Sequence, residues 1–469
     1  MKTLRPYIII LLLLTTAATG CKKFLEQDPY NRLSIDDIFK DVEGARTTLI
    51  GCYDNLKETG HYLRNFGLYA DIAGGNIKYG RATSQPFLNT YNFANSNVTD
   101  QNDLAPFYEV AYNTIYRANN IFANINKIAD ATTLQRNFML AEAYTLRALS
   151  HFDLVRVFAQ PYNFTADASH KGIVYRTQNT GANTVVGEPV SVKEVYTQLV
   201  RDLDSARILY KNGASIYASG SANSYLSYDA ATALLCRVML NMENWTRANE
   251  LATELIGSNR YGLVSNSAYV NSWQRNGSPN MDQEAIFLLF ARTDVNQSSY
   301  GENFVVGNTN IGNWVATNDL LNLYEATDVR SRSIMYTAIA TNGVTNWYTK
   351  KYNGVNSTSN NQKIIRISEI WLSRAEARAQ ADDLTGALAD LNRIRQRGNA
   401  AAPALALTNK QQVLDSIFVE RRRELCFEGH LLFDIVRQKR NLLRTDCSGA
   451  NCSINYPSPL FAVPIPTQR

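Results

Sequence analysis

Ile364-Ile-Arg-Ile-Ser-Glu-Ile-Trp-Leu-Ser-Arg-Ala-Glu-Ala-Arg-Ala-Gln-Ala381, then Asp382-Asp383, then Leu384-Thr-Gly-Ala-Leu-Ala-Asp-Leu-Asn-Arg-Ile-Arg-Gln-Arg-Gly398: this stretch decides the fold. In the first segment Ile367, Ile370, Trp371, Ala375 and Ala379 recur at spacings that place them on one face of a helix. In the second, Leu384, Leu388, Leu391 and Ile394 do the same, and Gly398 ends the run. Asp382-Asp383 is the turn. The sequence therefore predicts an antiparallel helix pair over 364–381 and 384–398, with alanines where two helices approach closely.

The same signature recurs upstream. Segments 191–211 and 227–242 form a second predicted pair, extended by 245–257, and 107–128 with 136–159 form a third. In 136–159, Leu140, Ala143, Tyr144, Ala148, His151 and Val155 share one face. His151 on that apolar face reads as a core histidine rather than a ligand. Helix pairs of this length, with Ala and Tyr at packing positions, resemble tetratricopeptide repeats. The fold class is therefore mostly α: tetratricopeptide-like helix pairs interrupted by long irregular loop insertions. The alternative is a helical bundle of unrelated descent with similar packing. The insertions, at 74–103, 258–318 and 341–362, are rich in Asn, Ser, Gly and aromatic residues, and long loops in a compact protein are usually functional.

Chain ends and composition narrow the class. Lys2 and Arg5 precede an apolar run, Tyr7 to Leu14, and then small residues up to Gly20. That run is shorter than the ~20 residues a spanning helix needs, so 1–20 is expected to be a cleaved export signal. Ala18-Thr-Gly-Cys21 is similar to a lipobox, with Ala18 where a larger aliphatic residue is usual. Cys21 is the expected site of lipid attachment, and several acyl chains suffice for stable anchoring. The net charge of +5 falls to +3 without Lys2 and Arg5 (47 basic residues less two, against 42 acidic). That excludes an electrostatic footprint for nucleic acid. Cys52, Cys236 and Cys426 lie in helical patterns and read as small buried hydrophobes. Cys447 and Cys452 flank a loop, where export permits either a disulfide or two free thiols.

Four segments together resemble the SusD/RagB family of outer-membrane lipoproteins. They are Cys21-Lys-Lys-Phe-Leu-Glu-Gln-Asp-Pro29; Ala141-Glu-Ala-Tyr-Thr-Leu-Arg-Ala-Leu-Ser-His-Phe-Asp-Leu-Val-Arg156; Arg366-Ile-Ser-Glu-Ile-Trp-Leu-Ser-Arg-Ala-Glu-Ala377 with Asp390-Leu-Asn-Arg-Ile-Arg395; and Glu420-Arg-Arg-Arg-Glu-Leu-Cys-Phe-Glu-Gly429 with Phe433-Asp434 and Arg437. One departure is the short tail after Pro464-Ile-Pro466. The resemblance implies an α/α superhelical domain over 21–469, with a repeat-bearing half at 21–257 and ligand loops plus the C-terminal signature at 258–469. It implies a cell-surface lipoprotein of the outer membrane that captures a nutrient, most often an oligosaccharide or polysaccharide. The partner it implies is a TonB-dependent transporter of the SusC type. Glu420, Arg423, Glu424 and Arg437 are expected to form structural ion pairs.

Sugar capture needs flat aromatic rings for apolar sugar faces and amides or carboxylates for hydroxyls. Tyr79, Trp273, Tyr300 and Trp314 are the candidate platforms, with Asn76 and Asn310 as amide partners; Tyr91, Trp347 and Tyr352 come second. No nucleophile elbow, His-Glu-x-x-His, phosphate loop or EF-hand loop occurs. The expectation is no enzyme, no cofactor and no resident metal, although loop carboxylates and carbonyls could in principle hold calcium. Two other readings remain: a peptide-binding uptake lipoprotein or protein-binding scaffold, and a lipoprotein hydrolase.

Overall fold

The structure is a computed structural model and describes residues 34–80, 85–179, 187–217, 223–274, 282–290, 300–304, 312–341, 343–352 and 361–467. Cys21 and Asn310 lie outside these. Its longer helices are α1 (Val42–Leu56), α2 (Asn65–Gly74), α3 (Ala105–Asn124), α4 (Thr133–Phe158), α5 (Val192–Lys211), α6 (Tyr228–Asn241) and α7 (Trp245–Gly257), then α8 (Ile367–Gln380), α9 (Leu384–Gly398), α10 (Lys410–Leu425) and α11 (Leu431–Arg437). Consecutive helices from α3 to α9 pack side by side, and α10 closes on α8 and α9. The direct packing of α7 on α8 continues the superhelix across the interval between Gly257 and Ile367. The tetratricopeptide-like pairs are as expected.

Side-chain caps start these helices. Thr132 and Gln135 form a reciprocal capping box at α4, while Ser191, Ser227, Asn244 and Asp383 cap α5, α6, α7 and α9. Each satisfies an otherwise orphaned amide, worth about 1 kcal/mol. Between helices, alanines such as Ala143, Ala148, Ala231, Ala375 and Ala387 are fully buried. Buried bidentate pairs then tie neighbours together: Arg147 to Asp202 across α4 and α5 (2.7 Å twice), Arg237 to Glu369 across α6 and α8 (2.6 Å twice), and Arg374 to Asp390 across α8 and α9 (2.8 Å twice). His151 is a core histidine, as its position predicts. Its Nδ1 meets the Arg147 carbonyl at 2.9 Å and its Nε2 accepts from the Arg176 amide at 3.0 Å, which fixes a neutral tautomer.

One boundary differs from the sequence reading. Residues 364–366, placed in the late helix, belong to a strand. The strands are β1 (Ile77–Tyr79), β2 (Ala285–Leu289), β3 (Trp314–Ala316), β4 (Tyr336–Thr341), β5 (Val344–Thr349), β6 (Gln362–Arg366), β7 (Leu442–Leu443) and β8 (Ser453–Ile454). Among the described residues they form antiparallel pairs only: β1 with β3, β2 with β6, β4 with β5 and β7 with β8. Ile364-Ile365 are β-branched and buried, and pairing with β2 outcompetes one more helical turn. Cys447 and Cys452 form a disulfide beside β7 and β8, and Cys52, Cys236 and Cys426 are free and buried. No helix among the described residues is long and apolar enough to cross a membrane.

Two main apolar cores result, and a third, small cluster joins α8, α9 and α10. The larger gathers the superhelix together with β2, β6 and α11, drawing on both halves of the chain. The smaller gathers α2, the insertions and Cys426-Phe427 after α10, and its large members are aromatic: Phe87, Tyr91, Tyr269, Trp273, Tyr300, Phe304, Trp314, Tyr336, Tyr352 and Phe427.

Candidate ligand-binding site

β1 and β3 bring Tyr79 opposite Trp314, where the rings stack at 4.7 Å between centroids and 27° between planes. Tyr91 leans on Tyr79 at 4.9 Å. The Tyr79 hydroxyl donates to the Pro86 carbonyl at 3.0 Å. The next residue, Gly80, accepts a hydrogen bond from Asn346 Nδ2 at 3.0 Å, which ties β1 to β5. Trp347 on β5 is half-buried and carries the Arg332 guanidinium over its face at 5.2 Å. Tyr79 is half-buried too, whereas Val344 and Thr345 on β5 are exposed. The result is an aromatic corner with two partly open rings on adjoining strands.

The other candidate residues lie inside. Trp314 and Tyr300 are 1% exposed and Trp273 is 5% exposed. None presents a face to solvent, so the expectation that they serve as sugar platforms is corrected here: they are core. Trp273 is a platform for cations instead, with Lys363 Nζ at 3.8 Å, Lys351 Nζ at 4.6 Å and the Arg366 guanidinium at 5.3 Å from its ring centre. The Tyr300 hydroxyl shares its proton between the Gly67 and Phe427 carbonyls, both at 3.1 Å. Asn76 is 1% exposed and spent internally, donating to Asp71 Oδ1 at 2.7 Å and accepting from Arg422 Nε at 2.9 Å. Tyr91 and Tyr352 are buried as well. The physical reason is that insertions this long must bury apolar surface to be ordered at all, and their aromatics are the surface available.

Beneath the corner runs a buried ionic network that joins the insertions to the C-terminal signature. Arg366 reaches Glu424 (2.6 Å), Glu428 (2.6 Å) and Glu284 (3.1 Å). Arg397 reaches Glu284 at 3.0 Å and Glu424 at 2.5 Å, and Arg330 reaches Asp328, Glu420 and Glu424, each at 2.8 Å. Lys351 holds Glu428 at 2.7 Å and the carbonyls of Glu424 and Cys426. A side chain on Gly398 would sit 2.3 Å from Arg330 Nη2, so the glycine that ends α9 also makes room for this guanidinium. Burial pushes the Glu424 carboxyl up, but Arg397, Arg366 and Arg330 outweigh it and hold it well below the usual range. Glu284 and Glu428 are lowered against burial in the same way. The expected ion pairing of Glu420, Arg423, Glu424 and Arg437 is thus present, with Arg437 bidentate to Glu376 and bonded to Asp434. Carboxylates locked in ion pairs are poor proton donors at neutral pH.

Two buried carboxyls differ. Asp71 is pushed up to about 6 by burial, although Asn76, the Gly429 amide and the Phe427 amide all donate to it. Glu142 in α4 is pushed up to about 8 by burial, which the hydrogen bonds from the Tyr53 and Tyr217 hydroxyls only partly offset. They sit in different parts of the core, so they do not form the facing carboxylate pair of a glycosidase. No group of His, Cys, Asp and Glu able to hold a metal ion occurs among the described residues. Sequence reasoning missed Arg330, Lys351, Arg366 and Arg397. A signal existed: Glu420, Glu424 and Glu428 recur every fourth residue, and a buried run of acids demands cations from elsewhere.

The SusD family profile matches residues 269–455, and a second profile, described as starch-binding and associating with the outer membrane, matches residues 23–240. The chain belongs to the SusD family. SusD-like protein P2 of Formosa agariphila is 24% identical over 93% of this chain and 91% of that protein. SusD-like protein P38 of the same organism is 23% identical over 90% and 88%. Among solved structures, a SusD superfamily protein from Bacteroides thetaiotaomicron superposes with a TM-score of 0.80 at 24% identity, covering 91% of this chain and 96% of that one. A SusD-like carbohydrate binding protein from Bacteroides vulgatus gives 0.73 at 22% identity, covering 87% and 85%. SusD proteins are non-catalytic binding proteins, in accord with the locked carboxylates, and the family is associated with carbohydrate ligands and the outer membrane.

Proposed function

We propose that this SusD-like chain is a lipoprotein anchored through Cys21 that faces the cell exterior. It captures an oligosaccharide or polysaccharide and delivers it to a TonB-dependent, SusC-type transporter. The observation that carries the reading is the aromatic corner: Tyr79 and Trp347 are half-open rings on adjoining strands, held from behind by Trp314, Tyr91 and Arg332. Rings fixed in this way lose little conformational entropy when a sugar face stacks on them. The name of the Bacteroides vulgatus relative, a carbohydrate binding protein, supports the ligand class. Asn310 stays a candidate amide partner outside the described residues.

Affinity gels and calorimetry against a polysaccharide panel test the ligand. Tyr79→Ala and Trp347→Ala should each weaken the best ligand by about tenfold, the loss of one stacking contact. Retention of a peptide but of no glycan would replace this reading with peptide uptake. Co-purification from the native membrane through a C-terminal tag tests the partner, and recovery without a large barrel protein would refute the delivery step.

A further inference from the structure

Tyr79, Tyr91 and Trp314 stand on three separate segments, and residues 444–452 grip each of those segments. Asp446 accepts from Lys78 Nζ on one carboxylate oxygen and from the Asn318 amide on the other, both at 2.7 Å. Lys78 precedes Tyr79 on β1, and Asn318 lies just past β3, which carries Trp314. Asp319 returns the grip by accepting from the amides of Thr445 (2.7 Å) and Asp446 (3.2 Å). Arg444 is buried. It donates to the Tyr91 carbonyl at 2.8 Å, and its guanidinium lies 5.0 Å from the Tyr91 ring centre and 5.2 Å from that of Phe93. Asn92 is held as well: its Oδ1 accepts from the Ala450 amide and its carbonyl from Asn451 Nδ2, each at 2.8 Å. A side chain on Gly449 would sit 2.3 Å from Asn92 Oδ1, so this close approach requires the glycine.

The Cys447–Cys452 disulfide keeps this grip closed. Arg444 Nη2 is anchored on the carbonyls of Ala450 (3.2 Å) and Asn451 (3.0 Å), which lie inside the ring that the disulfide closes. The Arg444 amide donates to the Cys452 carbonyl at 2.8 Å. Opening the ring would release those carbonyls, and with them the aim of the guanidinium at Tyr91. The two cysteines are only five residues apart, and the stabilisation from closing a loop grows with its length, so the effect of this disulfide is local. We propose that segment 444–452, closed by its disulfide, is a positioning clamp for the aromatic corner, with Arg444 and Asp446 as positioning residues. They act through Tyr79, Tyr91 and Trp314. The consequence for binding rests on the ligand reading above; the placing of the rings does not.

The test labels the five tryptophans of the full chain with fluorotryptophan and assigns their fluorine signals by single Trp→Phe substitutions. The signals are read before and after dithiothreitol. This dithiol supplies two electrons and two protons, closes into its own cyclic disulfide and leaves Cys447 and Cys452 as thiols. Cys52, Cys236 and Cys426 are already free and buried. The Trp314 signal should shift or broaden, Trp245 in α7 and Trp371 in α8 should stay, and reoxidation should restore the first. Hydrogen exchange in 77–79 and 88–93 should rise at least about tenfold, with no rise in α8 or α9. Arg444→Met with the disulfide intact should move the same Trp314 signal; thermal melts identify a variant that fails to fold, and the reduced wild type then decides. Among affinity gels of amylopectin, laminarin and alginate, any gel that retains the oxidised protein should hold the reduced protein about tenfold less tightly. If none retains the oxidised protein, the ligand reading fails and the fluorine signals alone decide the clamp. The proposal is overturned by a Trp314 signal that ignores reduction, by all five signals moving together, or by reduction that leaves retention on a binding gel unchanged.

Discussion

The two cores are built by different rules. The superhelix buries small, aliphatic and aromatic residues at helical spacing, and bidentate pairs such as Arg374–Asp390 tie several of its helices together. The loop core is dominated by large rings drawn from all three insertions, from Tyr336 and from Phe427 after α10, packed on Leu68 and Ile72 of α2. Its ionic ties run between segments far apart in sequence, as in Arg330 with Glu420 and Arg366 with Glu284. The first is assembled largely from consecutive helices, although Arg237–Glu369 bridges distant ones, and the second from segments that are not consecutive. A periodic core therefore tolerates local damage, whereas the loop core depends on a few long-range contacts.

The sharpest way to break this contrast is Arg366→Met. It strips one guanidinium from three buried carboxylates and should cost about 5 kcal/mol, the upper end for breaking a buried pair. Chemical denaturation should show it, and limited proteolysis should cut within 258–362 before any superhelix helix. Simultaneous loss of both cores would show that they are one cooperative unit. Next, Trp273→Ala should cost about 4 kcal/mol and Leu391→Ala about 3 kcal/mol. Only the tryptophan change, which also removes the ring that three cations face, should raise hydrogen exchange in β6 and around Lys351.

The smallest effect concerns a shared sequence. Ala-Glu-Ala occurs in both α4 and α8, but Glu376 in α8 is paired with Arg437, whereas among the described residues Glu142 in α4 bonds tyrosine hydroxyls. Tyr53, Tyr217 and Tyr210 surround Glu142, with Tyr225, Arg46 and Asp54 behind them. Its folded pKa of about 8 lies above the ordinary carboxyl value of 4.5, so the folded state binds the extra proton between those values. Stability therefore falls as pH rises through that window. Asp71 acts in the same sense but only up to about 6, and His151 and His430, held neutral by burial, act in the opposite sense until the imidazoles of the unfolded chain lose their protons by about pH 7, so pH 7 to 8 isolates Glu142. Glu142→Gln should flatten the stability profile there relative to wild type. Parallel profiles would show that a cation reaches Glu142 in solution.

The contrast also explains what was legible in sequence. Helix pairs at 107–159, 191–257 and 364–398 were readable because burial repeats with the helical period. His151 was readable for the same reason. The strand at Ile364-Ile365 was not, because its partner Ala285–Leu289 is remote in the chain. Trp273, Tyr300 and Trp314 could not be told from binding platforms, since an aromatic in an aperiodic loop carries no mark of which way it faces. Tyr79 and Trp347 share that composition and are distinguished only by the strands that hold them at the edge.

The contact of α7 with α8 has one more consequence. Because it holds the ends of 258–366 side by side, the superhelix does not depend on how far the chain travels between them. Lengthening a closed loop is cheap, about 0.6 kcal/mol per doubling. Provided β2, β6, Glu284, Arg330, Lys351 and Arg366 keep their places, the rest of the excursion is free to vary. The scaffold then works as a fixed handle with an exchangeable head, a division of labour that lets ligand preference diverge while the handle stays the same.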